Sequence, residues 1–269
     1  MIPLQALQDF VNAHHRLFVL TGAGCSTGSG IPDYRDADGQ WKRAQPMTYQ
    51  AFMGETTARR RYWARSFVGW PRFEAARPND VHRALARLET LGKCELLLTQ
   101  NVDRLHQAAG SAAVIDLHGR LDQVRCMHCD RRSPRAEFQA DLVRLNPEWR
   151  AMTATQAPDG DADLDDADIS GFVIAPCAIC GGVLKPDVVF FGESVPRDRV
   201  DAAMKHLEAA DAMLVVGSSL MVYSGFRFVE SAVRAGKPVA AVNLGRTRAD
   251  DLLTLKIEAE CETALGFLA

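Results

Sequence analysis

Leu96-Leu97-Leu98-Thr99-Gln100-Asn101-Val102-Asp103 is the stretch on which the reading of this chain turns. An apolar run of strand length ends in two amides and a carboxylate. A second run, Val114-Ile115-Asp116-Leu117, ends in His118-Gly119, and Cys126-x-x-Cys129 follows at metal-ligand spacing. Polar groups at the ends of buried strands are costly unless they have partners or a task. Open α/β sheets place their ligand sites there, outside the carboxyl ends of the strands.

Working outward, short apolar runs at 17–20, 95–98, 114–117, 188–191, 213–216 and 239–242 read as buried strands. Helical stretches separate several of them. Asn79-Asp80 caps a helix running to Leu91, with Gly92 as its stop; residues 103–109 form a short helix ended by Gly110; residues 225–235 end at Gly236, with Pro238 beyond. This alternation predicts an α/β fold, a Rossmann-like parallel sheet with helices on both faces.

Two stretches break the alternation. Residues 36–79 carry six arginines from Arg59 to Arg77, with Trp63 and Trp70 among them, and read as a helical insertion. Residues 120–185 hold the cysteine pairs, and within them 159–168 contains six aspartates, expected to form a mobile acidic surface loop. The expected organisation is therefore a sheet domain from 1–35, 80–119 and 186–269, the insertion at 36–79, and a small metal-binding module at 120–185.

A length of 269 residues, 47% hydrophobic, supports one large core with a smaller satellite. Net charge is −3, so no basic field argues for nucleic acid. The opening MIPLQALQDFVNAHH is an amphipathic helix without the features of a signal peptide, and no apolar run reaches the ~20 residues of a membrane span. A soluble cytoplasmic protein is expected, and its oligomeric state is not legible.

Four of the seven cysteines form two C-x-x-C pairs, Cys126/Cys129 and Cys177/Cys180. In a reducing compartment they favour one tetrahedral zinc site, structural because four thiolates leave no position for water. Two disulfides or a redox pair stay open at this point, because the 47-residue gap between the pairs exceeds the common ribbon spacing.

After the first strand comes GAGCSTGSGIPDYR, residues 22–35. Small residues there let backbone amides approach an anion. The dinucleotide fingerprint is incomplete, since its third glycine would fall at Thr27. Taken with TQNVDRLHQAAG at 99–110, His118-Gly119, the two C-x-x-C pairs, KPDVVFFGE at 185–193, VVGSSLMVYSG at 215–225 and AVNLG at 241–245, the chain resembles the sirtuins, NAD-dependent protein deacylases. The likeness spans nearly the whole chain in the family's order. YWARSFVGWP at 62–71 and LMVYSG at 220–225 look closest to the class II branch.

The resemblance implies a reaction and a set of roles. NAD would be a co-substrate, cleaved at the nicotinamide–ribose bond through an oxocarbenium-like state that must be held and kept dry. Gly22, Ala23, Gly24, Asp33, Tyr34, Arg35, Trp41, Gln100, Asn101, Val102 and Asp103 would contact NAD, as would Gly217, Ser218, Ser219, Asn243, Leu244, Gly245 and Cys261 on its adenosine side. Asn101 and Asp103 would serve the chemistry directly. His118 would be the general base that deprotonates a ribose hydroxyl, giving 2′-O-acyl-ADP-ribose. Phe191-Gly192-Glu193 and Met221-Val222-Tyr223 would flank an extended acyl-lysine peptide by strand addition, with Ser224 where the commoner family form has proline.

Tyr62 and Arg65, at i and i+3 of a helix, match a Tyr-x-x-Arg pair that holds acyl carboxylates in desuccinylating sirtuins; a solvated basic helix is the plainer reading. The asparagine of the Gln100–Asp103 run could also merely cap the following helix. His82, His106 and His128 read as structural or exposed. Rival functions are protein mono-ADP-ribosyl transfer by the same bond cleavage, a nicotinamide-dependent dehydrogenase, and a zinc-containing binding module.

Overall fold

Leu17, Phe18, Val19 and Leu20 send their side chains alternately into two different apolar cores, so the strand that carries them is buried on both faces. The computed structural model describes residues 2–42, 46–151, 161–162, 164 and 168–268. In chain order its elements are α1 (Ile2–Ala13), β1 (Leu17–Thr21), α2 (Tyr49–Gly54), α3 (Thr56–Ala75), α4 (Asp80–Thr90), β2 (Cys94–Thr99), α5 (Leu105–Ala108) and β3 (Val114–Asp116). They continue with β4 (Gly119–Cys126), β5 (Arg132–Pro134), α6 (Arg135–Leu145), β6 (Leu184–Val188), α7 (Arg197–Ala209), β7 (Ala212–Val216), α8 (Tyr223–Arg234), β8 (Val239–Val242), β9 (Leu255–Ile257) and α9 (Cys261–Leu265).

The chain divides into two units, one of Met1–Ala44, Arg77–Leu117 and Val195–Ala269, the other of Gln45–Ala76 and His118–Ser194. The first is built on a six-stranded sheet in the order β3-β2-β1-β7-β8-β9. Every pairing in it is parallel. Counted within the sheet, this is the 3-2-1-4-5-6 order of a dinucleotide-binding fold, whose direction of winding reverses between β1 and β7. Residues of α1, α4 and α9 fill the core on one face, and those of α7 and α8 the core on the other. The expected Rossmann-like sheet with helices on both faces is what forms.

Asn79 caps α4: its Oδ1 accepts from the backbone N–H groups of Val81 (3.0 Å) and His82 (3.3 Å). β9 escaped the sequence reading because Leu255-Lys256-Ile257 is three residues long and carries a charge mid-strand.

The second unit holds a three-stranded antiparallel sheet, β5-β4-β6, packed with α2, α3 and α6 around Trp63, Phe67, Phe138, Leu142 and Phe172. The apolar run at 188–191 was expected as a strand of the main sheet. The strand instead is β6, which ends at Val188 and pairs antiparallel with β4. Its polar start, Lys185-Pro186-Asp187, hid it from a search for apolar runs. The acidic segment is also corrected where it is described: Asp161 and Ala162 are buried, and Ala162 exchanges backbone and side-chain hydrogen bonds with Arg65. Asp159, Gly160, Asp163 and residues 165–167 lie outside the described residues. No helix among the described residues is long and apolar enough to cross a membrane.

Candidate active site and metal centre

In the first unit, the loops that follow β1 and β7 meet backbone to backbone where the sheet order reverses. Gly22 N donates to Val216 O (3.1 Å) and Gly24 N to Gly217 O (2.9 Å). A Cβ on Gly22 would lie 2.8 Å from Gly217 O, and one on Gly24 2.9 Å from Gly217 Cα. Gly217 itself has φ +61°, and its Cβ would stand 2.6 Å from Cys25 N. The glycines therefore serve as a seam that brings two strand ends together backbone to backbone.

Beside the seam, the end of β2 is tied into a polar knot by Ser26. The Ser26 hydroxyl donates to Asp103 Oδ2 (2.6 Å) and lies 3.0 Å from Asn101 Nδ2, which donates to it. Asn101 Nδ2 also donates to Gly22 O (3.0 Å), and Gln100 Nε2 to Ser218 Oγ (2.7 Å). Asp103 Oδ1 accepts from Leu105 N (2.9 Å). Asp103, not Asn101, thus makes the local turn into α5, while Arg104 at φ +66° occupies its N-cap position. Burial raises the Asp103 carboxyl above the ordinary carboxylate range, and the Ser26 hydroxyl works against that shift.

A buried histidine pair underlies this knot. His106 Nε2 faces Thr21 Oγ1 at 2.9 Å, and its ring centroid is 4.7 Å from that of His82. His82 Nδ1 faces the Asn79 backbone N–H (3.3 Å), and Asn79 Nδ2 donates to Cys25 O (2.8 Å), so the pair is wired to the Gly-rich loop. Burial lowers His82 to about 4 and His106 well below the ordinary histidine value. Both are neutral structural groups, as expected, and His128 is exposed.

Leu117, which ends the 77–117 segment of the first unit, is fixed by Thr99 O at 2.8 Å from its N–H, and Arg199 Nη1 donates to its carbonyl at 3.1 Å. The next peptide bond leads to His118, the first residue of the second unit's run. There His118 O accepts from Val189 N (2.7 Å). Gly119, at φ +84°, lies so close to Asp187 O that a Cβ would stand 2.1 Å from it. Further along that edge, Tyr49 N donates to Phe191 O (2.9 Å) and Gln50 Nε2 to Gly192 O (3.0 Å). The Glu193 carboxylate turns inward, accepting from Phe190 N (2.9 Å) and from Lys185 Nζ (3.1 Å).

The thiols of Cys126, Cys129, Cys177 and Cys180 lie within 4.8 Å of one another, with Cys126 and Cys180 sulfurs 3.5 Å apart and those of Cys129 and Cys177 3.8 Å apart. All four are free thiols. Sulfurs about 3.8 Å apart are what a tetrahedral zinc with ~2.3 Å bonds requires, whereas a disulfide needs about 2.05 Å. The donors fit one structural zinc ion, and the disulfide alternative is set aside. Gly182 fits tightly at this centre: a Cβ on it would lie 2.9 Å from Cys126 Sγ.

The model of the Sir2 family matches residues 22–224. The chain belongs to the Sir2 family. It is 71% identical, over 97% of its length and 89% of the relative's, to a protein of Xanthomonas axonopodis pv. citri (strain 306) named "NAD-dependent protein deacetylase". It is 69% identical, over 98% and 97%, to "NAD-dependent protein deacetylase 2" of Bradyrhizobium diazoefficiens. Among solved structures, one described as "Structural Basis for the Mechanism and Regulation of Sir2 Enzymes" superposes with a TM-score of 0.76 at 28% identity, covering 99% of this chain and 96% of that one. Another, "Sir2-p53 peptide-NAD+", gives 0.73 at 31%, covering 98% and 95%.

In this Sir2-family chain the remaining sites read from the sequence fall as follows. Asp33, Tyr34, Arg35 and Trp41 share one small hairpin: Arg35 and Trp41 form an antiparallel bridge, the Arg35 guanidinium lies 3.8 Å over the Trp41 ring, and Lys42 pairs with Asp33 (2.5 Å). Val102 follows Asn101 in the turn that the Ser26 knot holds. Ser218 and Ser219 follow Gly217 at the end of β7. Asn243, Leu244 and Gly245 follow β8; Asn243 N donates to Ile257 O (3.1 Å), and Leu244 is exposed. Cys261 opens α9 and is buried in the same core cluster as Cys25, whose thiol donates to Val216 O (3.2 Å). Burial first, then the Cys261 thiol, pushes the Cys25 thiol well above its ordinary value.

Tyr62 and Arg65 do not stand together as a solvent-facing pair. Tyr62 is buried against Phe52 (5.4 Å) and Phe190 (5.2 Å), and Arg65 Nε donates to Ala162 O (3.0 Å). The basic helix is not simply solvated either: Arg59 caps the C-terminal end of α2 through Phe52 O (3.0 Å) and Met53 O (2.8 Å). Ser26 is the site residue that sequence reasoning passed over. Its only signal was its place in the Gly-rich loop, since its partners lie more than seventy positions away.

Proposed function

We propose that this chain is an NAD-dependent protein lysine deacylase that transfers an acyl group from lysine to ADP-ribose, with release of nicotinamide. The observation that carries this reading is the Ser26–Asn101–Asp103 knot. It presents amide and carboxylate groups at the carboxyl end of β2, beside the Gly22/Gly24/Gly217 seam. NAD, when bound, supplies a glycosidic bond whose cleavage leaves an electrophilic ribose. The side-chain-free seam of Gly22, Gly24 and Gly217 lets the pyrophosphate approach the backbone closely. Asn101 and Asp103 orient the nicotinamide ribose, and their mutual ties through Ser26 fix that geometry before substrate arrives. His118 accepts a proton from a ribose hydroxyl, its backbone held at its own carbonyl by Val189 N. The adenosine side rests on Ser218, Ser219, Asn243 to Gly245 and Cys261.

Protein substrates add as an extended strand. The segment Met221–Tyr223 pairs with it through backbone, which suits recognition of a lysine within varied sequences. Zinc holds the module of residues 120–185 together and takes no part in the chemistry. The enzyme works in the cytoplasm.

The test is an acetyl-lysine peptide incubated with NAD and read by mass spectrometry, with His118→Ala as control. Peptide-dependent nicotinamide release, one per acetyl group lost, is the expected result. A mass gain of ADP-ribose on protein in place of acetyl loss would point to the transferase. No peptide-dependent release would overturn the reading altogether.

A further inference from the structure

The exposed ring of Tyr223, at the start of α8, carries two guanidinium groups. Arg227, one helical turn on, places its guanidinium 5.3 Å from the ring centroid. Arg248, from the loop after β8, lies 5.7 Å from the same ring and 4.4 Å over Phe226. Arg248 is stitched to the segment before the helix: its N–H donates to Ser219 O (2.9 Å) and its Nη1 to Met221 O (3.3 Å). Arg227 Nε is buried and has no hydrogen-bond partner among the described residues.

Neither guanidinium forms an ion pair with a carboxylate among the described residues. The acids nearest them in sequence are Glu230, Asp250 and Asp251. Asp250 is already committed to Lys256 (2.8 Å) and Thr247 (2.6 Å). Two cations beside one ring repel each other, and cation–π attraction to the exposed ring holds them there. An anion placed between them would remove that repulsion. Arg248 is already ordered by stacking and by a bond to the Met221 carbonyl, and Arg227 by stacking, so engaging a carboxylate costs little further side-chain entropy.

We infer that Arg227 and Arg248 select protein substrates that carry an Asp or Glu close to the acyl-lysine. This rests on the proposed peptide contact at Met221–Tyr223, the segment that Arg248 grips. The long guanidinium arms reach past Tyr223 to the next side chains of an added strand, which stand on one face at every second residue.

An acetyl-lysine peptide with serine at the flanking positions is the reference, and a single Asp is scanned from four residues before the lysine to four after. At one or two same-face positions Asp lowers KM about tenfold relative to the reference, and the advantage shrinks as salt rises. In Arg248→Gln and Arg227→Gln that KM ratio falls toward one, and Arg248→Glu turns the preference to a scanned Lys. An Asp advantage that is absent at every position, or that persists in the double Gln variant, overturns the inference while leaving the deacylase reading intact. Turnover of none of the peptides overturns the deacylase reading itself, and this inference with it.

Discussion

Lys185 and Glu193 form a nearly buried ion pair, Nζ to Oε2 3.1 Å, across the turn that follows β6. Lys185 Nζ also donates to the carbonyls of Pro186 (3.3 Å) and Val188, and it stands 4.7 Å over the Phe190 ring. Glu193 Oε2 in turn takes the Phe190 N–H (2.9 Å). The pair thus closes the corner whose next amide, Val189 N, holds the His118 carbonyl. Removing one partner of such a pair strands the other charge. Lys185→Met is expected to cost about 3 kcal/mol of unfolding free energy. Glu193→Gln keeps an acceptor for Phe190 N–H and is expected to cost less than half of that. Urea denaturation of both variants checks the order; equal stability of Lys185→Met and the parent would sink the argument.

Acid should weaken the fold through the histidine pair. His82 sits at about 4 in the folded chain because burial disfavours its charged form, against about 6.5 when unfolded. The unfolded chain therefore binds the proton first. Stability from this group is complete above pH 6.5 and is lost as pH falls from there toward 4, to the extent of roughly 3 kcal/mol. His106 acts in the same direction. Unfolding free energies measured between pH 7 and 4 should show this slope, and His82→Gln should flatten part of it.

Ser26→Ala removes the hydroxyl that joins Asn101 to Asp103. The fold should survive, since the backbone seam is untouched. Peptide-dependent nicotinamide release should fall on the order of a hundredfold, the usual consequence of a misplaced catalytic group. An unchanged kcat/KM would show that the knot does not position the chemistry.

Gly217→Ala tests the seam. Its Cβ would meet Cys25 N at 2.6 Å in a left-handed backbone, φ +61°. A loss of about 2–3 kcal/mol is expected from strain and overpacking together, with NAD binding weakened beyond detection by calorimetry. Wild-type affinity in the variant would mean that the two loops can separate without consequence.

Zinc should be present at one ion per chain. Chelation, or Cys177→Ser, should abolish it and lower the thermal midpoint, with activity and midpoint returning together when zinc is restored to the chelated protein. An unchanged thermal midpoint after complete zinc removal would contradict a structural role.

Much of this protein was legible in its sequence because its signals are local. Five of the six strand runs fall on strands of the main sheet, since a strand buried on both faces has to be apolar throughout. Asn79, Gly92 and Gly236 marked helix ends through backbone preferences that neighbours hardly alter. The paired cysteines favoured zinc by their spacing, and the convergence of the four sulfurs decided against disulfides. β4 was missed because its apolar positions are sparse and their alternation breaks at Asp122–Gln123, where the pairing with β6 shifts register. Tyr62 and Arg65 looked like a pair because helical spacing is local; Phe190 and Ala162, which claim them separately, are distant in sequence.

The sequence by itself determined the class of sheet, the Sir2-type motif order and the four metal thiols, all properties of residue type and spacing. Only the tertiary structure decided that Ser26 locks Asn101 to Asp103, that Gly217 presses against Cys25, that Glu193 turns inward to Lys185, and that two arginines share the ring of Tyr223. The Ser26 knot, the Gly217–Cys25 approach and the reach of Arg248 to Tyr223 are contacts between segments far apart in the chain. No local preference encodes such a contact, because it exists only after the strands have placed both partners at the same end of a sheet or in the same turn.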